Sequence, residues 1–107
     1  MKPPLTSNQT ELTQEDLQLI AATVTMMQRH LSQGLAQRFA MEFLSESPQF
    51  TFAEIEILCA ALHAMSRQIG KDRKLPRSQI VLVQQRAAII IQKFERGMKY
   101  ERYTKAV

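Results

Sequence analysis

Residues 80–103 read IVLVQQRAAIIIQKFERGMKYERY, and the choice between one helix and two strands here decides the fold class. The β-branched runs IVLV and AAIII suit a sheet when taken alone. Over the longer window, however, Ile80, Val83, Ala87, Ile90, Phe94 and Met98 follow one helical face in steps of three and four. We therefore read a helix over 77–103, with Pro76 at its start, where a missing N–H is tolerated. Its opposite side carries Val81, Leu82 and Ile89 first, then Lys93, Arg96 and Lys99. A helix apolar all round is buried, and one with a charged back lies at a surface. This helix is expected to begin inside a core, to lose its deeply buried positions near Ile91, and to leave the core basic.

Upstream, a second helix is expected over 52–69. Thr51 is its N-cap and Glu54 completes a capping box, while Phe50 and Ile55 form a hydrophobic staple. Ile55, Leu58, Leu62, Met65 and Ile69 make its seam, and Gly70 is expected to stop it. The first helix is read over about 14–46. Thr13 caps it, Asp16 occupies the third helical position, and Leu12 and Leu17 are the staple. Leu17, Ile20, Val24, Met27 and Leu31 mark one face, which Leu35, Phe39 and Phe43 resume after Gly34. A kink or break near Gly34 and an end near Ser47-Pro48 follow. Residues 1–11 have no periodicity and read as a flexible leader. The expectation is an all-α fold, a small bundle of three main helices in a single helical domain over 12–107.

Residues 12–31 and 50–69 superpose at an offset of 38, with Thr13/Thr51, Ala22/Ala60, Met27/Met65 and Arg29/Arg67 identical. The offset is that of a helical repeat, or of two capped amphipathic helices alike by chance.

At 107 residues the chain is one domain for which burying enough apolar surface is a real constraint. Six methionines suggest an adaptable core and self-associating faces, and a homodimer is the expected way to complete the burial. A single cysteine excludes an internal disulfide, and the first residues lack the roughly 7–15 apolar residues of a secretory signal, so a cytoplasmic, intracellular setting is expected. No apolar run reaches the roughly 18 residues of a membrane span. Charge is divided unevenly. Residues 1–66 hold three basic groups against seven acidic ones, a net of −4, and residues 67–107 hold eleven against three, a net of +8. Such a split can steer an acidic partner to one end, or draw the two halves together within a dimer.

Chemistry finds little support. Glu56, Cys59 and His63 share a flank of the second helix, yet a metal site needs three or four ligands and no second cluster completes one. Glycine-rich phosphate loops, HExxH and spaced calcium-binding aspartates are absent from the sequence. No enzyme, cofactor or metal is expected. Lys71, Arg73, Lys74 and Arg77 surround Asp72 in the linker before the last helix. With Lys93 they are candidate phosphate contacts, and a solvated charge run is the plainer reading. A helix-turn-helix is disfavoured, because the linker exceeds the three or four residues of that motif and Pro76 would interrupt a recognition helix.

Ile91, Gln92, Arg96 and Gly97 stand as IQxxxRG after Ala87-Ala88-Ile89, and the segment resembles an IQ motif of the calmodulin-binding and myosin-light-chain-binding class. The resemblance implies a basic amphipathic helix gripped by an EF-hand protein, with Ile91 and Gln92 at one lobe and Arg96-Gly97 at the other. The chain departs from the pattern where Glu101 takes the expected basic position, with Arg102 one residue late, and where Thr104 takes an apolar one, with Tyr103 one residue early. Ile91, Gln92, Phe94, Arg96, Gly97, Lys99 and Arg102 are the partner-binding candidates. The expected function is that of a non-enzymatic adaptor whose basic C-terminal helix docks on an acidic protein partner. A nucleic-acid-associated factor using the same cations, with Phe94, Tyr100 and Tyr103, is the alternative.

Overall fold

The computed structural model describes residues 5–6, 11–46 and 48–105. Within them four helices follow in order, α1 (Gln14–Met26), α2 (Gln33–Phe43), α3 (Phe52–Gly70) and α4 (Arg77–Lys105), with a 3-10 turn at Gln28–His30. Two short strands, β1 (Leu5–Thr6) and β2 (Gln49–Phe50), pair antiparallel, Leu5 opposite Phe50 and Thr6 opposite Gln49. The chain is mostly helical, as expected, but with four helices instead of three. Part of the expected leader is also tied down by the strand pair.

Both capping boxes form. Thr13 Oγ1 accepts from Asp16 N–H at 3.1 Å while Asp16 Oδ2 accepts from Thr13 N–H at 3.0 Å. Thr51 and Glu54 exchange the same two bonds at 3.2 and 2.8 Å. Glu11, with φ of 57°, turns the chain into the first box. The likeness of the two segments extends to burial: Asp16, Ile20, Thr23 and Val24 are buried in α1, and Glu54, Leu58, Ala61 and Leu62, each 38 residues later, are buried in α3.

The break in the expected first helix comes earlier than Gly34. Met27 is the C-cap of α1 and makes a last ladder bond to Thr23 O at 3.0 Å, Leu31 is extended (φ −107°, ψ 147°), and Ser32 Oγ accepts from Leu35 N–H at 3.2 Å to start α2. A serine that can cap the following turn gains more by interrupting the helix than by continuing it. Gly34 merely sits in the first turn of α2, where a Cβ would meet nothing within 4 Å. The end of α2 is also early, at Phe43 and not 47–48, and there Ser45 Oγ donates to Glu42 O at 2.8 Å.

The core lies where α3 packs between α1 and α4. Ile20 and Val24 meet Ile55, Leu58, Leu62 and Met65, and α4 contributes Ala87, Ile90, Ile91 and Phe94. Phe50 sits between layers, with its ring 6.1 Å from Phe39, 5.9 Å from Phe43 and 6.4 Å edge-on from Phe94. Aromatic pairs at these separations add about 0.5–1.5 kcal/mol each beyond burial.

Two expectations about α4 fail. Burial does not end near Ile91, because Phe94 is completely buried and Gly97 is buried too. Nor does the helix begin inside the core, since Val81, Leu82 and Ile89 are 39, 56 and 47% exposed. Among the described residues the bundle supplies α4 with neighbours on one side, and its second apolar face stays exposed. Gly70 also acts differently from the expected stop. Its φ is not positive, and α3 simply ends in a tight turn with Lys71 N–H donating to Gln68 O. What Gly70 provides is room, because a Cβ there would stand 3.0 Å from Gln84 Nε2, which donates to Ser66 O at 2.9 Å and pins α4 to α3.

Candidate functional site

The cationic linker is built by short-range bonds. Asp72 Oδ1 accepts from Lys74 N–H at 2.8 Å, and Pro76 O accepts from Gln79 N–H and Ile80 N–H to launch α4. A fixed φ at proline and an aspartate receptor for the backbone are what such a turn requires. Lys71, Arg73, Lys74 and Arg77 are all exposed, and none pairs with an acid among the described residues.

Farther along α4 the cations are spent differently. Arg86 pairs with Glu15, and Lys93 Nζ donates to Asp16 Oδ2 at 2.6 Å with the two side chains only 17 and 11% exposed. Lys93, expected among the phosphate contacts, is therefore turned toward α1. Burial works to raise the Asp16 carboxyl, but Lys93 and the Thr13 N–H together outweigh it and hold the group below the ordinary carboxylate value. The second capping-box acid also has a basic partner. Glu54 receives Arg38 Nε at 3.0 Å, while Arg38 also reaches Glu42 at 2.6 Å and Gln49 O at 3.2 Å. The Arg38 guanidinium is held even above its usual value, first by Glu42. The attraction between acidic and basic halves thus operates within one chain, with α4 clasped to the start of α1.

The IQ-like residues do not share a surface. Gln92 and Arg96 are exposed, Ile91 keeps 7% of its surface, and Phe94 and Gly97 are buried. Ile91 and Phe94, expected at a partner surface, are core residues here. The side chains of Lys99 and Arg102, and of Tyr100 and Tyr103, lie outside the described residues. Of the cations read from the sequence, the structure leaves Lys71, Arg73, Lys74, Arg77 and Arg96 facing solvent.

Two surface features go beyond the sequence reading, which named Leu82, Ile89 and Arg96 on the far side of α4 but expected its apolar part inside the core. One is the outward row on α4, where Leu82, Gln85, Ile89, Gln92 and Arg96 alternate in steps of four and three and are all exposed. The spacing was available as a signal, because it is the inner seam displaced by two residues. The other is a groove of about 620 Å³ between α1 and α2, walled by Ala21, Val24, Leu31, Ala36, Ala40 and Phe43. It opens because the small side chains of α2 cannot fill the space beside α1, a consequence of the 27–32 break.

In the Glu56, Cys59, His63 flank the cysteine is half-buried. Burial, aided by Glu95 and Glu56, pushes the Cys59 thiol up to about 11, which disfavours the thiolate near neutrality. Glu56 and His63 are exposed. Among the described residues no three His, Cys, Asp or Glu side chains converge, and no helix is long and apolar enough to cross a membrane. Comparison with protein-family models, with characterised proteins and with solved structures finds no match for this chain.

Proposed function

We propose that this chain is a non-enzymatic helical adaptor that docks on an acidic protein partner through α4 and the linker before it. The observation that carries the reading is the division of the cations. Arg86 and Lys93 are consumed in holding the bundle together, whereas Lys71, Arg73, Lys74, Arg77 and Arg96 stand exposed without an acid among the described residues. Unpaired surface charge of one sign steers association with a partner of the other. An EF-hand protein is one acidic partner of suitable chemistry. It would have to meet the Gln92 and Arg96 side of α4, because a grip on Ile91 and Phe94 requires the helix to come away from α3.

The linker favours a second reading, binding to a nucleic-acid backbone, since four exposed cations within seven residues could follow phosphates. Self-association has support of its own in Met41 and Leu44, which are 74 and 88% exposed on and just beyond α2. Sedimentation across a concentration series tests it.

The discriminating experiment titrates the full chain with a calcium-loaded EF-hand protein, an acidic helical protein and a duplex DNA between about 50 and 200 mM salt. Binding to one of the acidic proteins that persists at the higher salt is the expected result. Tight DNA binding that falls log-linearly with salt, with no acidic protein bound, would establish the nucleic-acid reading instead.

A further inference from the structure

The outer face of α4 is apolar at its centre and cationic at both ends. Val81, Leu82 and Ile89 are 39, 56 and 47% exposed, and Ala88 beside them is exposed as well. They lie across the helix from Ile80, Ala87, Ile90 and Phe94, all buried, so no rotation of α4 could bury both sets at once. Deepening the adaptor reading, on which it rests, we propose that this face is a seam for one amphipathic helix of the partner, apolar along its middle and acidic at both ends.

The width of the face specifies a helix. Leu82, Gln85, Ile89, Gln92 and Arg96 follow a strict four-three alternation, which is the narrow stripe of a two-helix seam and not the broad face of a globular contact. Val81 and Ala88 flank it on one side. Gln85 and Gln92 place neutral hydrogen-bonding groups within the stripe, a device that sets register at some cost in affinity.

Charge specifies the sign of the partner's ends. Lys71, Arg73, Lys74 and Arg77 stand before the stripe and Arg96 closes it, with Asp72 and Glu95 the nearby acids. From Arg77 to Arg96 an α-helix rises roughly 29 Å, so a partner helix of about 20 residues spans both ends. Between those ends the cations facing the body are already taken, Arg86 by Glu15 and Lys93 by Asp16. That middle offers a nucleic acid nothing to follow.

A second copy of the chain fits poorly. An antiparallel pairing that sets Leu82 against Ile89 of the copy carries Arg96 just past the start of the other helix, toward Arg77 and the linker cations. A parallel pairing sets Arg96 beside Arg96. Like charges meet in either arrangement, whereas an acid-ended helix relieves both ends together.

The test titrates the full chain with a labelled synthetic helix carrying leucine at its seam positions and glutamate at both ends, followed by anisotropy. A control helix carries lysine in place of each glutamate. The parent should bind the acidic helix and not the basic one. Replacing Leu82→Gln and Ile89→Gln together should weaken binding about tenfold or more while leaving the melting temperature unchanged, because the positions are exposed. Gln85→Leu fills the stripe and should tighten binding, a gain that no folding defect can imitate. If L82Q/I89Q and Q85L bind like the parent while charge reversal at Lys74, Arg77 and Arg96 abolishes binding, the seam is wrong and the adaptor reading stands on charge alone. If no acidic helix binds and duplex DNA does, both fall. If the parent is a dimer that L82Q/I89Q dissociates, the face belongs to a second copy and the inference is overturned.

Discussion

Ile89 and Ile90 are adjacent and chemically identical, yet the first leaves 47% of its surface in solvent and the second none. The two faces of α4 that they represent are alike in their leading residues, Val81, Leu82 and Ile89 against Ile80, Ala87 and Ile90. What separates them is the number of neighbours. The inner face meets α3, Phe50 and the start of α1, and the outer face is left exposed among the described residues. Apolar character in a sequence therefore states what a face can do. Burial states whether the fold supplied a neighbour, and on α4 it supplied one to the inner face alone among the described residues.

The largest test of the difference is Phe94→Ala. The ring is fully buried and edge-on to Phe50, so its loss should cost about 3–5 kcal/mol, read as a lower urea midpoint. Removal of residues 92–107 should be at least as damaging, contrary to what the basic composition of that segment suggests. An unchanged midpoint for Phe94→Ala would mean that the two faces are equally open.

Lys93→Met, next in size, addresses what holds the inner face in place. It leaves the Asp16 carboxylate without its cation and should cost about 1.5–3 kcal/mol at neutral pH. The same variant has a pH signature. The folded pKa of Asp16 lies below its ordinary value, so the stabilisation is fully present above that ordinary range, around pH 4, and is lost as pH falls through the lowered value. The parent should lose stability over that acid window more steeply than Lys93→Met. Parallel acid limbs in denaturation curves would show that the pair contributes nothing.

A smaller effect is expected at the caps that orient α3, the support of the inner face. Thr51→Ala should cost about 1 kcal/mol, and Thr13→Ala about the same, since each removes one of two equivalent boxes. Thermal melts of the two single variants and the double variant check this, and a double variant no worse than either single one would mean that one box does not form in solution.

These caps were legible because a capping box is local: its residues lie three apart and their chemistry is sufficient to place it. The inner seam of α4 was legible for the same reason, and Phe50 and Ile55, read as a staple, are both buried in the core. The start of α2 was missed because the three-four spacing resumes after Ser32 as though no turn intervened, and periodicity hides a cap that falls in phase with it. The Lys93–Asp16 and Arg86–Glu15 pairs join residues 77 and 71 apart, a distance over which no pattern in a single sequence operates. The candidate site was legible by composition and not by face. The exposed linker cations and Arg96 were named, but the IQ-like letters place Ile91 and Phe94 on the buried side and Gln92 and Arg96 on the open one. A linear motif cannot register that division.

The smallest expected effect is the sharpest comparison. Isoleucine and serine have similar helix propensities, so replacing either Ile89 or Ile90 with serine changes little except the apolar group. Ile90→Ser should destabilise strongly, by loss of core volume and burial of a hydroxyl. Ile89→Ser should stay within about 0.5 kcal/mol, as exposed substitutions generally do. A cost well above that for Ile89→Ser would mean the outer face is covered in solution, and repeating the melt at several protein concentrations identifies the cover. A melting temperature that rises with concentration in the parent but not in Ile89→Ser shows that copies of this chain bury the face, because association stabilises by mass action. A concentration-independent melt, with Ile89→Ser matching the parent, leaves the face open and available to a partner that the isolated chain does not contain.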